Sequence, residues 1–389
     1  MNVLVLNCYS RNALSVINSL DFSYRIHGAH QGQAKISDRF LKSPRLLMIH
    51  RYTKPSRDIE VFQKDIINLS LKYHINAIIP TGTAITNSIS QIKEAIELHS
   101  RAKVLVEDYS KLQELTDKWR CYKLCDDLKI PYPKTQIVHG FSDMERCITS
   151  ELIDFPCIIK PIIGTAAVGV HFFKNRNDLD RFRNQSHTLF RQFGSFVMQD
   201  QIQGQLHDVT SCSQNGHILS MLTQQRLVCW KDFGGGGIIN RTTYHPLLME
   251  YVKKILYKTR WNGVALWDFI QKENGEFYLL ECNPKFWGTT QLTIEAGLNM
   301  PQQLVDFWFL KREIKPLRTY EIGVVYKWLF PFCIAHLFHS PLRIKTLRKR
   351  FVRVFRKYES TRSRTNINPA DFPHLLGMIL NADFSLGLT

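Results

Sequence analysis

The sequence lacks the signals of several common protein classes. Its nine cysteines form no CxxC pair and show no regular spacing, which argues against a disulfide framework or a zinc site and predicts reduced thiols in the cytoplasm. The most apolar stretch, 324–339, contains Lys327 and Pro331 and is too short to cross a bilayer. The N-terminus has neither a basic region nor a small-residue cleavage site, so we expect a folded first strand and helix there.

Two familiar nucleotide-binding motifs are also missing. The loop after the first apolar run reads NCYSRNA and lacks the Gly-x-Gly-x-x-Gly of a dinucleotide site, and no Gly-Lys-Ser/Thr opens a helix as in a Walker A loop. Apolar runs at 2–7, 77–80 and 102–106 alternate with helical patterns at 11–20 and 84–99. This alternation predicts a Rossmann-like α/β domain over residues 1–112 that does not bind a dinucleotide.

Acidic residues are in short supply, since 51 Lys and Arg face 34 Asp and Glu for a formal net charge of +17. The segment 342–364 holds ten of the bases and one acid, with apolar residues between them at roughly helical spacing. We therefore predict a basic amphipathic helix within a helical C-terminal extension, 313–389. Such a helix can pack by its apolar side and be solvated by its basic side, or bind an anionic membrane surface. Nucleic acid is disfavoured, because no RNP or zinc-finger motif accompanies the charge.

The stretch WNGVALWDFIQKENGEFYLLECNPKFWG, 261–288, carries two acids inside apolar runs. A two-residue type I′ turn at Asn274-Gly275 would place Asp268 opposite Glu281, with Asn283 two residues further along. Two facing carboxylates need a positive partner, and Mg²⁺ suits such oxygen donors. A three-residue turn would slip the register and put the acids on opposite faces, and a solvated surface hairpin is the other alternative.

Three further segments join polar or basic residues to glycine-rich loops. In DFPCIIKPIIGTAAVGVHFFKN, 154–175, a strand ends at Lys160 and a small-residue loop follows, which can lay amides and a lysine over phosphates. In FVMQDQIQGQLHDVTSC, 196–212, a polar break between strands could seat an adenine. RLVCWKDFGGGGIINR, 226–241, sets cations around four glycines. A plain glycine hairpin and an ordinary strand connection remain alternatives for the first two.

Taken in order, these segments resemble the ATP-grasp superfamily, most closely its branch of carbamoyl-phosphate synthetase-like carboxylate–amine ligases, over roughly residues 1–310. The resemblance implies an ATP-grasp fold over 113–312, divided into 113–195 and 196–312. It also implies ATP and Mg²⁺ as cofactors, with Mn²⁺ as an alternative metal. The implied site residues are Lys118 and Lys160 for phosphates, Gly164 and Gly169 in the glycine loop, Gln199, Asp200 and Ile202 for adenine, and Asp268, Glu281 and Asn283 for the metal.

The chain departs from the family pattern at two places. Where a glutamate usually binds the ribose, GQLHDV offers His207 or Asp208, and we favour Asp208. After Asn-Pro an arginine is common, whereas Lys285 keeps the charge without the planar fork. Candidates for binding the substrate carboxylate and the developing oxyanion are Arg226, Arg241 and Lys285.

The function implied is ATP-dependent activation of a carboxylate as an acyl phosphate, followed by amide formation with an amine. Small-molecule acids and amines are the expected partners, and a homodimer is left open. The segment 366–380 looks like one found in ATP-grasp proteins of polysaccharide biosynthesis, so that pathway is a candidate beside peptide and natural-product synthesis. Two alternatives stand beside the ligase: a non-catalytic ATP-binding module recruited to the inner face of a membrane, and a nucleic-acid-binding protein.

Overall fold

The N-terminal region is a parallel α/β layer. The computed structural model describes residues 1–164, 168–231, 234–317, 319–338 and 343–381. The first elements in chain order are β1 (Asn2–Leu6), α1 (Arg11–Ser19), β2 (Arg25–Gln31), β3 (Leu46–Tyr52), α2 (Ile59–Lys72), β4 (Ala77–Pro80), α3 (Thr83–Gln91), α4 (Lys93–Ser100), β5 (Lys103–Val104) and α5 (Tyr109–Thr116). Their strands form one parallel sheet in the order β3-β2-β1-β4-β5. The predicted Rossmann-like fold is confirmed.

Helix α1 begins directly after the first strand and its short loop. The hydroxyl of Ser10 accepts the amide of Ala13 and so caps the helix, while Val16 and Ile17 are buried against the sheet. Arg11 therefore lies in the first turn of α1, at the edge of the sheet where the strands end. In open parallel sheets this carboxyl edge is where ligands bind.

A second, smaller sheet follows with a core of its own. Its elements are α6 (Lys118–Leu128), β6 (Thr135–Val138), α7 (Phe141–Thr149), β7 (Cys157–Pro161), β8 (His171–Phe173), α8 (Arg176–Phe193) and β9 (Phe196–Asp200). The strands are antiparallel in the order β6-β9-β7-β8 and cover a separate apolar cluster. Because β9 belongs to this sheet, the boundary predicted between 195 and 196 is displaced: the unit ends at Asp200.

The largest sheet has seven strands and includes part of the C-terminal extension. Its elements are β10 (Gln205–Gln214), β11 (His217–Lys231), β12 (Gly234–Thr243), α9 (Pro246–Thr259), β13 (Gly263–Gln271), β14 (Phe277–Asn283), α10 (Thr290–Glu295), α11 (Met300–Trp308), β15 (Val324–Lys327), α12 (Ile334–Leu337), α13 (Ile344–Phe355), β16 (Arg362–Thr365) and α14 (Phe372–Asn381). The strand order is β14-β13-β10-β11-β12-β15-β16, and among these described strands β15 and β16 pair in parallel while the other neighbours are antiparallel.

The C-terminal extension is an integral part of the fold. It was predicted to be helical, but it also adds β15 and β16 to the large sheet, since β15 pairs with β12. Val324, Val354 and Leu375 are buried in the same core as Val3 of the first strand and Trp287. Removing the extension would therefore expose the core that the N-terminal layer and the large sheet share.

All nine cysteines are free, and eight of them are buried. No helix in the described ranges combines the length and the apolar character needed to cross a bilayer.

Acid should weaken the attachment of α14 to the N-terminal layer. His374 is fully buried; its Nδ1 accepts the amide of Ser43 and its Nε2 bonds the carbonyl of Cys8 at 3.0 Å, an arrangement that requires neutral imidazole. Burial lowers the pKa of His374 from 6.5 to about 4. The unfolded chain therefore binds the extra proton between those values, so the stability contribution is lost as pH falls through this window.

In wild type, His374 should account for about 2 kcal/mol of the fall in the free energy of unfolding between pH 7 and pH 5. We expect His374→Gln to lack this contribution when unfolding is measured in urea. His30, His50 and His207 also have pKa values lowered to about 4 by burial, so the variant removes only part of the wild-type slope. An unchanged slope in the variant would contradict the assignment.

Candidate active site

The hairpin of β13 and β14 brings the two acids together, but by a route that the sequence did not predict. Its turn has three residues: the amide of Gly275 donates to the carbonyl of Lys272 at 3.0 Å, and Gly275 has a φ of 89°. This turn alone would slip the register by one. A β-bulge beside Asp268 slips it back, so Asp268 pairs with Glu281 as predicted. The predicted pairing is confirmed, and the predicted two-residue turn is wrong.

Each acid of the pair lies beside a different buried cation. Asp268 lies 2.6 Å from Nη2 of Arg226, and Glu281 lies 3.3 Å from Nζ of Lys118. Burial raises the pKa of Asp268 to about 7 in spite of Arg226. For Glu281 burial acts in the same direction, but Lys118 and Lys160 outweigh it and hold the pKa below its ordinary value. The pKa values of the two carboxylates are thus shifted in opposite directions although the residues face each other.

The donors at this pair fit a hard divalent cation. Oδ1 of Asp268 is buried and has no hydrogen-bond partner among the described residues, which is costly unless a ligand satisfies it. Asn283 lies beside Glu281 and donates from Nδ2 to Oε1 at 3.1 Å. No group of three or more His, Cys, Asp and Glu side chains in the described part of the chain could hold a metal. A site made of Asp268, Glu281 and Asn283 would instead supply two carboxylates and one amide oxygen. This set suits Mg²⁺ whose remaining ligands are phosphate and water oxygens.

The phosphate-binding candidates, Lys118 and Lys160, line the same cavity as Glu281. Lys118 is the first residue of α6, is buried, and donates from Nζ to the carbonyl of Gly164 at 3.2 Å. Lys160 projects from β7, and burial lowers its pKa to about 8. Gly164 lines the cavity described below, and Gly169 has a φ of 74°. Residues 165–167 of the predicted glycine loop are outside the described residues.

A cavity of about 690 Å³ runs from this cluster to the connection between β9 and β10. Asp200 and Ile202 line it together with the apolar side chains of Ile158, Val170 and Ile270. The amide of Ile202 makes no hydrogen bond to a described residue and is available to an adenine edge. Gln199 differs: its side chain is buried on Thr135, its strand is paired on both sides, and it is not among the residues that line the cavity, so the geometry does not support the predicted contact to adenine.

The side chain of Asp208 is buried and its carboxylate is already bonded, which does not fit a residue that binds ribose hydroxyls. Its Oδ1 is 2.5 Å from Nη2 of Arg226, and its Oδ2 accepts from Gln224 at 2.8 Å and from Nε of Arg226 at 3.1 Å. The cross-strand partner of Asp208 on β10 is Asp268 on β13. Arg226 is thus shared between two buried carboxylates. The geometry assigns Asp208 to holding Arg226 and does not support the predicted contact to ribose.

The remaining catalytic candidates fall on two sides of the sheet. Lys285 is buried and lines the cavity, whereas Arg241 pairs across strands with Gln225 and donates to its Oε1 at 2.9 Å. Gln225 precedes Arg226, so Arg241 lies on the opposite face and does not reach the cavity. Arg241 is therefore removed from the catalytic candidates. In its place the structure brings in Arg11, whose only sequence signal was a position just after the first strand.

The lysine on β7 can be tested by its effect on nucleotide affinity. We expect Lys160→Ala to weaken ATP binding by roughly 1.5–3 kcal/mol, because a charge-assisted contact is lost. Lys174→Ala, at an exposed position just after β8, is the matched control and should leave affinity unchanged. Titration calorimetry with both variants checks this, and wild-type affinity for Lys160→Ala would show that Lys160 points elsewhere.

Comparison with known sequences places the central region in a known family. Residues 115–289 match the family of the ATP-grasp domain. The chain is 22% identical over 252 residues to D-aspartate ligase of Enterococcus faecium, covering 59% of this chain and 58% of that protein. It is 24% identical over 276 residues to formate-dependent phosphoribosylglycinamide formyltransferase of Prochlorococcus marinus, covering 66% and 64%. The chain thus spans less than two thirds of the length of both relatives.

Solved structures share the fold at low sequence identity. Biotin carboxylase from Campylobacter jejuni has a TM-score of 0.67 at 13% identity, covering 83% of this chain and 74% of that one. L-amino acid ligase from Bacillus licheniformis has a TM-score of 0.60 at 13% identity, covering 83% and 80%. The domain match shows an ATP-grasp domain over residues 115–289, and the solved structures show that the chain shares the fold of ATP-grasp proteins.

Proposed function

We propose that this protein is an ATP-dependent ligase that activates a carboxylate as an acyl phosphate and joins it to an amine. One observation carries the proposal: Asp268 and Glu281 face each other, and Oδ1 of Asp268 is buried with no hydrogen-bond partner among the described residues. The cavity that they line also contains Ile202, whose amide makes no hydrogen bond to a described residue. A metal-phosphate end and an adenine end in one cavity are what an ATP-dependent enzyme needs.

The reaction has two steps. A carboxylate oxygen attacks the γ-phosphorus of ATP and ADP leaves; an amine nitrogen then attacks the acyl carbon, phosphate leaves, and the nitrogen loses a proton. Asp268, Glu281 and Asn283 would hold Mg²⁺, which would supply neutralisation of phosphate charge. Lys118 and Lys160 bind phosphate oxygens. Lys285 and Arg226 are the remaining catalytic candidates.

At the acid end, Lys285 binds the reacting carboxylate and stabilises the oxyanion that forms when the amine attacks. Its ammonium lines the cavity with Asp268 and Glu281. Burial lowers the pKa of Lys285 to about 8, although the two acids act in the opposite direction. Arg226 is held by Asp208 and positions Asp268. We therefore assign Lys285 to the substrate and Arg226 to the support of the metal ligand.

The names of the relatives and of the neighbouring structures suggest where to start the substrate search. They include a D-aspartate ligase, an L-amino acid ligase and a formate-dependent formyltransferase. We propose amino acids and small acids as substrates, in peptide, natural-product or polysaccharide-linked synthesis. Amino acids of both configurations and formate should be screened in pairs with amines for release of ADP and phosphate, with mass spectrometry of the product. An ATP turnover rate that changes with neither the acid nor the amine would overturn the proposal.

A second proposal concerns helix α13 and an anionic membrane surface. The helix buries Arg350 and Val354, whereas Phe351 and Phe355 are 54% and 52% exposed, with their ring centroids 4.6 Å apart. Val352 is exposed as well. These apolar side chains lie among bases, the combination that binds the headgroup region of an anionic bilayer. The exposed rings support surface binding alongside catalysis.

We expect the protein to co-sediment with phosphatidylserine vesicles more than with phosphatidylcholine vesicles, and less as salt rises. Phe351→Ser/Phe355→Ser should remove the salt-resistant part of this binding, because apolar burial is lost. Phe22→Ser, at an exposed site in the N-terminal layer, is the control. Equal binding to both lipids, or unchanged binding by the double variant, would rule out this surface.

A further inference from the structure

Two buried cations of the cavity form no ion pair with an acid in the described part of the chain. The side chains of Arg11 and Lys285 are 5% and 6% exposed, and both line the cavity. The acids nearby are committed elsewhere, Asp208 and Asp268 to Arg226 and Glu281 to Lys118. Within the described residues, neither Arg11 nor Lys285 forms an ion pair. A buried charge without a counterion is costly, so a bound anion is the natural complement.

Three regions of the chain shape the position of Arg11. It starts helix α1 in the N-terminal layer, and its Nη1 donates to the carbonyl of Gly237 on β12 at 3.0 Å. Its guanidinium lies 5.3 Å from the ring centroid of Trp328 and 4.9 Å from that of Phe332, both in the extension. A Cβ at Gly288 would stand 2.2 Å from Nη2 of Arg11, so the glycine that ends the KFWG run makes room for it.

One guanidinium nitrogen still lacks a partner. Nε of Arg11 is buried and makes no hydrogen bond in the described structure, although Nη1 is satisfied by Gly237. Burial also lowers the pKa of Arg11 to about 9, with Arg226 acting in the same direction. A planar guanidinium with unused donors matches the two oxygens of a carboxylate.

The two cations differ in what they face. Lys285 follows Asn283 by two residues, its amide donates to the carbonyl of Asn283 at 2.8 Å, and it lines the cavity together with Asp268 and Glu281. This places Lys285 at the metal end, where the reacting carboxylate must lie. Arg11 instead contacts the glycine-rich strand β12 and, in the extension, the rings of Trp328 and Phe332. We assign Lys285 to the acid that is activated, and Arg11 is then left for a different anionic group.

We propose that Arg11 binds a second carboxylate, distinct from the one that is activated. This inference rests on the proposed ligase function and narrows its substrate class: either the acid is a dicarboxylate, or the amine is an amino acid with a free carboxylate. The shared chemistry is a carboxylate held at the guanidinium of Arg11, and the two sources are separated by experiment.

Binding without turnover tests this inference independently of catalysis. Unfolding midpoints are measured with Mg²⁺ and a non-hydrolysable ATP analogue, adding either member of matched pairs. For the acid arm the pairs are succinate against butyrate, and aspartate against alanine in both configurations. For the amine arm the pair is glycine against methylamine. In wild type we expect the member with the additional carboxylate to raise the midpoint in one arm, which names the source.

Arg11→Gln should cancel that shift and weaken binding of the carboxylate-bearing probe by roughly tenfold or more, with affinity for the ATP analogue unchanged. Arg11→Lys should restore part of it, because the charge returns without the fork. Arg25→Gln, exposed on β2, is the control. No shift in either arm of wild type, or an equal shift in Arg11→Gln, would overturn the inference. Absence of acid-dependent ADP release, with the midpoint shift present, would instead count against the ligase function alone.

Discussion

Asp268→Asn and Glu281→Gln, made separately, are expected to lower ATP turnover by roughly a thousandfold or more while the protein stays folded. Each substitution removes one charged donor from the pair that would hold Mg²⁺. The fold should survive because the replacements are close in shape and the flanking cations keep other contacts: Arg226 retains Asp208, and Lys118 retains the carbonyl of Gly164. ADP release at saturating Mg²⁺ and ATP measures the loss.

The same hairpin provides a matched control for this prediction. Glu273→Gln changes an exposed acid in the turn between β13 and β14 and should leave turnover within about twofold of wild type. Circular dichroism and unfolding midpoints of all three variants separate lost metal binding from lost structure. Wild-type turnover in either Asp268→Asn or Glu281→Gln would remove these residues from the metal site.

Arg226→Met should destabilise the protein by about 3–5 kcal/mol, the largest effect on folding that we expect from a single cavity residue. The guanidinium lies within ion-pair distance of both Asp208 and Asp268, and all three side chains are buried. Its removal leaves two carboxylates in a low-dielectric site without a counterion. Urea unfolding at neutral pH measures the change.

Two further variants locate the origin of that loss. Asp208→Asn combined with Arg226→Met should recover part of the stability, because one of the two orphaned charges is gone. Arg241→Met, whose guanidinium meets only the amide of Gln225 in the described structure, should cost less than about 1 kcal/mol. If Arg226→Met proves as mild as Arg241→Met, then Arg226 does not hold the two carboxylates.

The sequence predicted the acid pair correctly although it missed the turn. A two-residue turn and an unbroken hairpin give the same partners for Asp268 as a three-residue turn with one bulge, because each deviation shifts the register by one and the shifts cancel. Asn-Gly is compatible with both turns. The apolar runs on both sides of each acid require both strands to be buried. That requirement selects the register.

The partners of the cavity residues were beyond sequence reasoning because they are set by contacts between distant segments. Asp208 and Arg226 meet only because β10 and β11 pair, and the choice between Arg226 and Arg241 depends on which face of the sheet each occupies. Arg11 enters from another domain through space that Gly288 leaves open. The extension was predicted to be helical from its bases, while β15 and β16 are too short to give a pattern of their own.

The most direct test of the ligase function follows an oxygen atom. An acid that supports ADP release is labelled with ¹⁸O in its carboxylate and incubated with ATP, Mg²⁺ and the amine, and the released phosphate is analysed by mass spectrometry. Activation as an acyl phosphate transfers one labelled oxygen to phosphate for every amide formed. Unlabelled phosphate, or AMP and pyrophosphate in place of ADP, would contradict the account.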